Sequence, residues 1–258
     1  MLSYQHAYHA GNAADVHKHA LLALALEYLV RKDKPISYIE THAGRGMYDL
    51  AGAESAKTGE ARHGVQALLQ RFAKDHPYRK AIEAFRNEHG PMAYPGSPLI
   101  AHQFKRSADR FQLAEFHPQE HTVLSEAMPK SGIHVYHEDG FPWAARICPP
   151  TPRRGLIFID PSYELDHDFS GLPSFLGGLH KLWPVGVIML WYPLLKTGEG
   201  AEMAKAIAAL GLPKCVRHEV SFGAASGHHR LIGSGVLCVN APYTFEADAK
   251  AVGALFQS

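Results

Sequence analysis

The chain has little of what would classify it at a glance. An excess of one charge is missing: 26 Lys and Arg stand against 25 Asp and Glu in 258 residues, a formal net charge of +1. Global charge therefore argues against a polybasic nucleic-acid-coating protein, and any surface for an anionic partner has to be a local patch. Cysteine is scarce, with only Cys148, Cys215 and Cys238, far apart and without a CxxC pair. That argues against a zinc ribbon or a secreted disulfide framework and fits a reducing cytoplasm. No apolar run approaches a membrane span, and no basic-then-apolar signal precedes the first helix pattern. A soluble, cytoplasmic, monomeric protein without membrane contact is expected.

Histidine is the exception, at 18 residues, with His6, His9, His17, His19 and His42 all falling before residue 43. A histidine-rich metal-dependent hydrolase is one reading of that cluster. However, no HExxH motif and no HxH-plus-carboxylate pattern sits at a strand end, so no metal is expected.

With 46% hydrophobic residues the chain can bury a real core, and a single domain over 1–258 is the natural prior. Residues 1–12 are polar and aromatic, ending in Gly11-Asn12. From Ala13 to Arg31 the apolar residues Val16, Leu21, Leu24 and Leu29 recur at helical spacing, with Asp15 in the first turn. Residues 1–31 thus read as a leader and helix. Ile36–Glu40 then reads as a strand running into the glycine turn Gly44-Arg45-Gly46, which lacks the third glycine of a dinucleotide fingerprint. The next good strand waits until Phe111. Residues 50–92 between them carry helical spacing over Gly64–Phe72 and Tyr78–His89 and read as an inserted helical subdomain. Its basic residues, Lys57, Arg62 and Arg79 among them, are candidates for phosphate contact, although a solvated helix face accounts for most of them. Leu99–Lys105 reads as a delayed crossover helix. Strands follow at Phe111–Glu115, Ile133–Tyr136, Leu156–Ile159 and Val185–Tyr192. Cys215–Phe222 alternates as an edge strand would, and Gly235–Asn240 closes the series. Seven strands with intervening helices predict a doubly wound α/β sheet, with the last two strands as an antiparallel pair.

In such a sheet ligands bind outside the carboxyl ends of the strands. Four ends carry suitable chemistry: the glycine turn with Gly44, then Glu115, then Asp139-Gly140, then Asp160-Pro161-Ser162-Tyr163. For a nucleoside-type cofactor, the glycine turn admits the ligand against the backbone. Glu115 would accept from ribose hydroxyls and Asp139 from an adenine amino group. The fourth end faces the reacting atom. It resembles the Asp-Pro-Pro-Tyr motif of S-adenosylmethionine-dependent amino methyltransferases acting on adenine N6. An exocyclic amine is a poor nucleophile because its lone pair is delocalised into the ring. The Asp160 carboxylate and Pro161 carbonyl can both accept its N–H bonds and direct the nitrogen, while Tyr163 stacks on the base.

Further motifs narrow this to one family. The leader Tyr4, His6, His9-Ala10-Gly11-Asn12, Asp15-Val16 and Lys18-His19 is similar to that of the bacterial 23S rRNA adenine-N6 methyltransferases of the RlmJ type. So are Thr41-His42-Ala43-Gly44, Tyr94-Pro95-Gly96-Ser97-Pro98, Arg153-Arg154-Gly155-Leu156 and Leu190-Trp191-Tyr192-Pro193. The resemblance implies a Rossmann-like class I methyltransferase fold and S-adenosyl-L-methionine as cofactor. It implies that His19, His42, Ser97, Glu115, Asp139 and Gly140 surround that cofactor and that Asp160 is the catalytic acceptor. Tyr4 would meet the RNA, with His6 and Lys18 as further substrate-side candidates. The substrate implied is 23S rRNA, naked or partly assembled. Ser162 departs from the family's second proline, and the family's tail runs further beyond Pro242. DNA adenine methylation, or a role in using external DNA, is the alternative that keeps the chemistry. A non-catalytic nucleic-acid-binding module is the alternative that discards it.

Overall fold

The structure is a computed structural model and describes residues 5–164, 166–222 and 231–257. A seven-stranded sheet forms its centre. In chain order the strands are β1 (Ser37–Glu40), β4 (Arg110–Ala114), β5 (Ile133–Tyr136), β6 (Gly155–Ile159), β7 (Val187–Leu195), β8 (Val216–Ser221) and β9 (Leu231–Val239); two short strands, β2 (Met47–Asp49) and β3 (Ala93–Pro95), pair separately. The spatial order is β5-β4-β1-β6-β7-β9-β8. The first five run parallel, whereas β9 is antiparallel to both neighbours. The expected antiparallel pair is present, with β8 at the sheet edge and the last strand wedged beside β7. Sequence reading starts β9 at Gly235, four residues after Leu231, because Gly233, Ser234 and Gly235 dilute the apolar signal.

The two faces of the sheet fill two apolar clusters, as the period of two along a strand requires. Tyr38, Leu156 and Phe158 point to one; Ile39, Ile157 and Ile159 point to the other. The second face is covered by helices Gly140–Ile147, Asp166–Leu182 and Glu199–Ala208, through Trp143, Leu172, Leu176, Met203 and Ile207. The first is covered by α1 (Ala13–Val30).

That helix is not amphipathic. It is buried on almost every side, because the stretch 50–92 packs onto the flank that faces away from the sheet. Helix Pro77–His89 contributes Tyr78, Ile82 and Phe85 to the same cluster, and shorter helical pieces contribute Val65, Leu68 and Phe72. The insertion therefore shares one core with α1 and the sheet. Arg79 has a structural task there: its guanidinium donates to the Phe72 carbonyl, Gln70 and Glu83. The β2–β3 pair closes the insertion at its base and returns the chain beside the glycine turn, where the Gly96 amide donates to the Gly46 carbonyl at 2.6 Å. The helix that follows is shorter than expected, Ser97–His102.

Candidate active site

The parallel strands β5, β4, β1 and β6 end along one edge of the sheet, and the loops that leave them open into one cavity of about 520 Å³. Of the residues singled out in sequence, His6, Lys18, His19, His42, Gly44, Ser97, Glu115, Asp139, Gly140, Asp160, Pro161 and Tyr163 all line it. Tyr4 lies outside the described residues.

One half of the cavity is built from strand ends and backbone amides. The chain leaves β1 through Thr41 and His42 and turns at Gly44, whose φ of +62° suits glycine; a Cβ there would meet the Tyr48 hydroxyl at 2.6 Å. The Gly44 amide donates to Glu115 Oε2 at 2.8 Å, and the His117 amide donates to Oε1 at 2.7 Å. Two backbone donors thus orient the carboxylate that follows β4. Burial still pushes its pKa up from the ordinary value, because desolvation outweighs those two bonds. Asp139 caps helix Gly140–Ile147 by accepting from the Phe141 amide at 3.0 Å. Gly140 is required by close approach, since a Cβ would lie 2.0 Å from the Thr41 carbonyl oxygen. The Asp-Gly pair is therefore a helix cap pressed under the end of β1, as well as part of the cavity wall. His42 is half-buried, and its imidazole pKa is lowered to about 4 by desolvation. Ser97 reaches the same region from the base of the insertion, and its hydroxyl donates to Glu40.

The other half is built from charged side chains. Asp15 stands in the first turn of α1, where Asn12 caps the helix by accepting from the Asp15 amide at 2.9 Å. The Asp15 carboxylate accepts from the Gly11 amide at 2.8 Å and from His6 Nε2 at 2.9 Å, and lies 2.9 Å from Lys18 Nζ. Full burial alone would raise its pKa; the charges of His6 and Lys18 overcome that and hold it well below the ordinary carboxylate range. Lys18, only 3% exposed, donates to Asp160 Oδ2 at 2.6 Å, and its ammonium sits 4.9 Å from the centre of the Trp191 ring. Sequence placed Lys18 on the substrate side and Asp160 at a strand end without seeing that they pair.

Around Asp160, Tyr163 adopts a left-handed backbone, φ 55°, a conformation costing on the order of 1 kcal/mol for a residue other than glycine. Its hydroxyl donates to the Trp191 carbonyl at 2.6 Å, and its ring rests against Phe169 at 4.6 Å. His19 is buried, 2.8 Å from the Tyr94 hydroxyl, and burial lowers its pKa to about 3, so it is neutral.

Three residues of this site carried no assigned role in sequence: Asp15, Glu40 and Trp191. Glu40 is fully buried at the end of β1 and takes bonds from the Ser97 and Tyr38 hydroxyls, the latter at 2.8 Å. Desolvation pushes its pKa up to about 8. The available signal was an acid closing an otherwise buried strand.

Comparison with known proteins places the chain in a family. The family described as ribosomal RNA large subunit methyltransferase D, RlmJ, matches residues 33–258. A protein of Escherichia coli K12 named ribosomal RNA large subunit methyltransferase J is 36% identical over 250 residues, which are 95% of this chain and 89% of that one. The chain belongs to the RlmJ family of ribosomal RNA large subunit methyltransferases. The Haemophilus influenzae protein of the same name is 34% identical over 257 residues, covering 98% and 92% of the two chains. A solved structure of protein LPL1258 from Legionella pneumophila superposes with a TM-score of 0.86 at 31% identity, covering 96% of this chain and 94% of that one. A probable spermidine synthase from Corynebacterium glutamicum, at TM-score 0.52 and 11% identity over 95% of this chain and 72% of that one, shares the fold alone.

With RlmJ membership comes the cofactor, S-adenosylmethionine. The cavity volume suits a ligand of that size. Beside Glu115, the buried Nδ1 of His117 has no hydrogen-bond partner among the described residues and lines the cavity, so a polar ligand would complete it. Among the described residues no group of three His, Cys, Asp or Glu side chains is arranged to hold a metal ion, and no helix is long and apolar enough to cross a membrane.

Proposed function

We propose that this chain transfers the methyl group of S-adenosylmethionine to the exocyclic N6 amine of an adenine in 23S rRNA. The observation that carries this reading is the buried Lys18–Asp160 pair at the end of β6, facing the same cavity as the glycine turn and Glu115. Pairing with Lys18 fixes the Asp160 side chain in one rotamer before any substrate arrives, and preorganisation of that kind is worth more than a strong contact formed late. Asp160 and the Pro161 carbonyl then accept the two N–H bonds of the target amine and turn its nitrogen toward the donor.

Glu115, Asp139 and the Gly44 turn would hold the nucleoside end of the cofactor, with His19, His42 and Ser97 around the remainder. When bound, S-adenosylmethionine supplies an electrophilic methyl on a positively charged sulfur. The amine has to shed a proton during or after transfer, and no covalent intermediate on the protein is required. Tyr163 forms one wall for the base, its ring angle set by the hydroxyl bond to Trp191 rather than left free to adapt. Tyr4 and His6 are the leader's contacts to the base, which must be taken out of its stack to reach Asp160. RNA is favoured over DNA because the curated relatives are named for ribosomal RNA.

The test is methyl transfer from labelled cofactor to naked 23S rRNA, assembled large subunits and duplex DNA in parallel, with the product nucleoside identified by mass spectrometry. N6-methyladenosine in rRNA is expected. Label in DNA alone, or on another atom of the base, would overturn the assignment.

A further inference from the structure

Behind the acceptor half of the cavity runs a buried hydrogen-bond chain that none of the steps above uses. Trp191 Nε1 donates to Ser234 Oγ at 2.9 Å; Ser234 Oγ lies 2.8 Å from His17 Nδ1; His17 Nε2 lies 2.9 Å from His218 Nδ1. Its members come from β7, β9, α1 and β8. His17 and Ser234 are completely buried.

With every buried proton in use, the direction of each bond follows from the first. An indole nitrogen can only donate, so Ser234 Oγ accepts there and is left with one proton to give. His17 is neutral, because desolvation and the neighbouring His218 hold its pKa well below the imidazole range. Its Nδ1 therefore takes the serine proton, its own proton lies on Nε2, and that proton is given to His218 Nδ1. Each of these donors and acceptors has a partner, and a fully satisfied chain in a dry core defines a single geometry. Stability alone does not call for it, since apolar residues of similar volume fill such a space equally well.

The geometry it defines is that of Trp191. The indole face carries the Lys18 ammonium at 4.9 Å, and the backbone carbonyl of the same residue receives the Tyr163 hydroxyl at 2.6 Å. Lys18 in turn holds Asp160. The indole thus bears on the lysine that fixes the catalytic carboxylate, while the backbone carbonyl of the same residue holds the tyrosine that walls the base. We propose that Ser234 and His17 are positioning residues for methyl transfer, acting through the Trp191 indole from outside the cavity. The proposal rests on the methyl-transfer reading above.

Ser234→Ala removes the acceptor without removing volume from the cavity. Its kcat should fall about tenfold, since sub-ångström displacement of a reacting group has effects of this order. The Kd for S-adenosylmethionine should stay within about twofold, because that ligand is held on the other half of the cavity. Of the three indole N–H signals in a nitrogen-edited spectrum, only that of Trp191 should move, while Trp143 and Trp183 stay. A double-mutant cycle separates positioning from general loosening. Trp191→Phe deletes the indole donor, and in that background Ser234→Ala should cost less than about twofold. His17→Gln, whose amide oxygen can still accept from Ser234, should retain more activity than His17→Leu. An equal loss from Ser234→Ala in both backgrounds, unchanged kcat, or an unmoved Trp191 signal would overturn the proposal. An inactive wild type would instead overturn the proposed function and not this one.

Discussion

The two halves of the cavity are made in opposite ways. On the half proposed to hold the cofactor, each acid is oriented by backbone amides close to it in the fold. Glu115 is held by Gly44 and His117, and Asp139 by Phe141 two residues on. On the acceptor half, orientation comes from side chain to side chain across the whole chain: His6 to Asp15, Asp15 to Lys18, and Lys18 to Asp160, 142 residues away. A backbone amide stays in place when a neighbouring side chain changes. A buried ammonium shared by two carboxylates does not. Damage on the cofactor half should therefore remain local, and damage on the acceptor half should spread.

The largest expected effect tests the end of that charged chain. Asp160→Ala should lower methyl transfer by at least about 10³-fold, because it removes the acceptor that directs the amine. The Kd for S-adenosylmethionine measured by calorimetry should change little, and a large loss of cofactor affinity would show that the two halves are not separable.

Next comes Asp15→Asn, which removes the buried carboxylate that Lys18 and His6 share. Breaking such a pair costs about 3–5 kcal/mol, read as a lower denaturation midpoint. The sign with pH follows from linkage. The folded-state pKa of Asp15 lies well below its unfolded value, so its contribution is present above about pH 3.8 and is lost as pH falls through the folded value. The gap in stability between wild type and Asp15→Asn should accordingly narrow under acid conditions.

On the cofactor half, Glu115→Gln should weaken S-adenosylmethionine binding by about 10- to 100-fold, the range of a charge-assisted hydrogen bond. Methyl transfer at saturating cofactor should stay near wild type. A comparable fall in both quantities would erase the contrast drawn here.

The smallest effect concerns Glu40, which sits between the halves. Its pKa of about 8 in the fold exceeds the ordinary value of 4.5, so between those limits the folded chain holds a proton that the unfolded chain has released. Stability should therefore decline as pH rises from about 4.5 to 8. Glu40→Gln should flatten that decline across the window in chemical denaturation. An unchanged slope would mean Glu40 is ionised in the fold.

Much of the cavity's lining is legible along the chain because its signals are local. An apolar run that stops at an acid marks a strand end, and parallel strands put such ends on one edge. Glu115, Asp139-Gly140 and Asp160 are found this way, and the structure gathers them around one cavity. The stretch 50–92 stands out as an overlong gap between strands, whereas its sharing of a core with α1 does not. What resists reading is any partner set by topology. The apolar residues of α1 mark it as a helix, but helical spacing relates a residue only to those three or four positions away. Spacing can propose Asp15 beside Lys18; it cannot propose Asp160 on the far side of the pair, nor His218 beyond His17.

Sequence alone therefore determined the order of the seven main strands, the acids that close them, and the family to which their motifs point. The tertiary structure decided the rest: that α1 lies between sheet and insertion, that β9 enters beside β7, and that Lys18 meets Asp160 beneath Trp191. The physical reason is common to all three. Burying polar groups is tolerable only where other elements supply their partners, and those partners exist only once the chain has crossed back over itself.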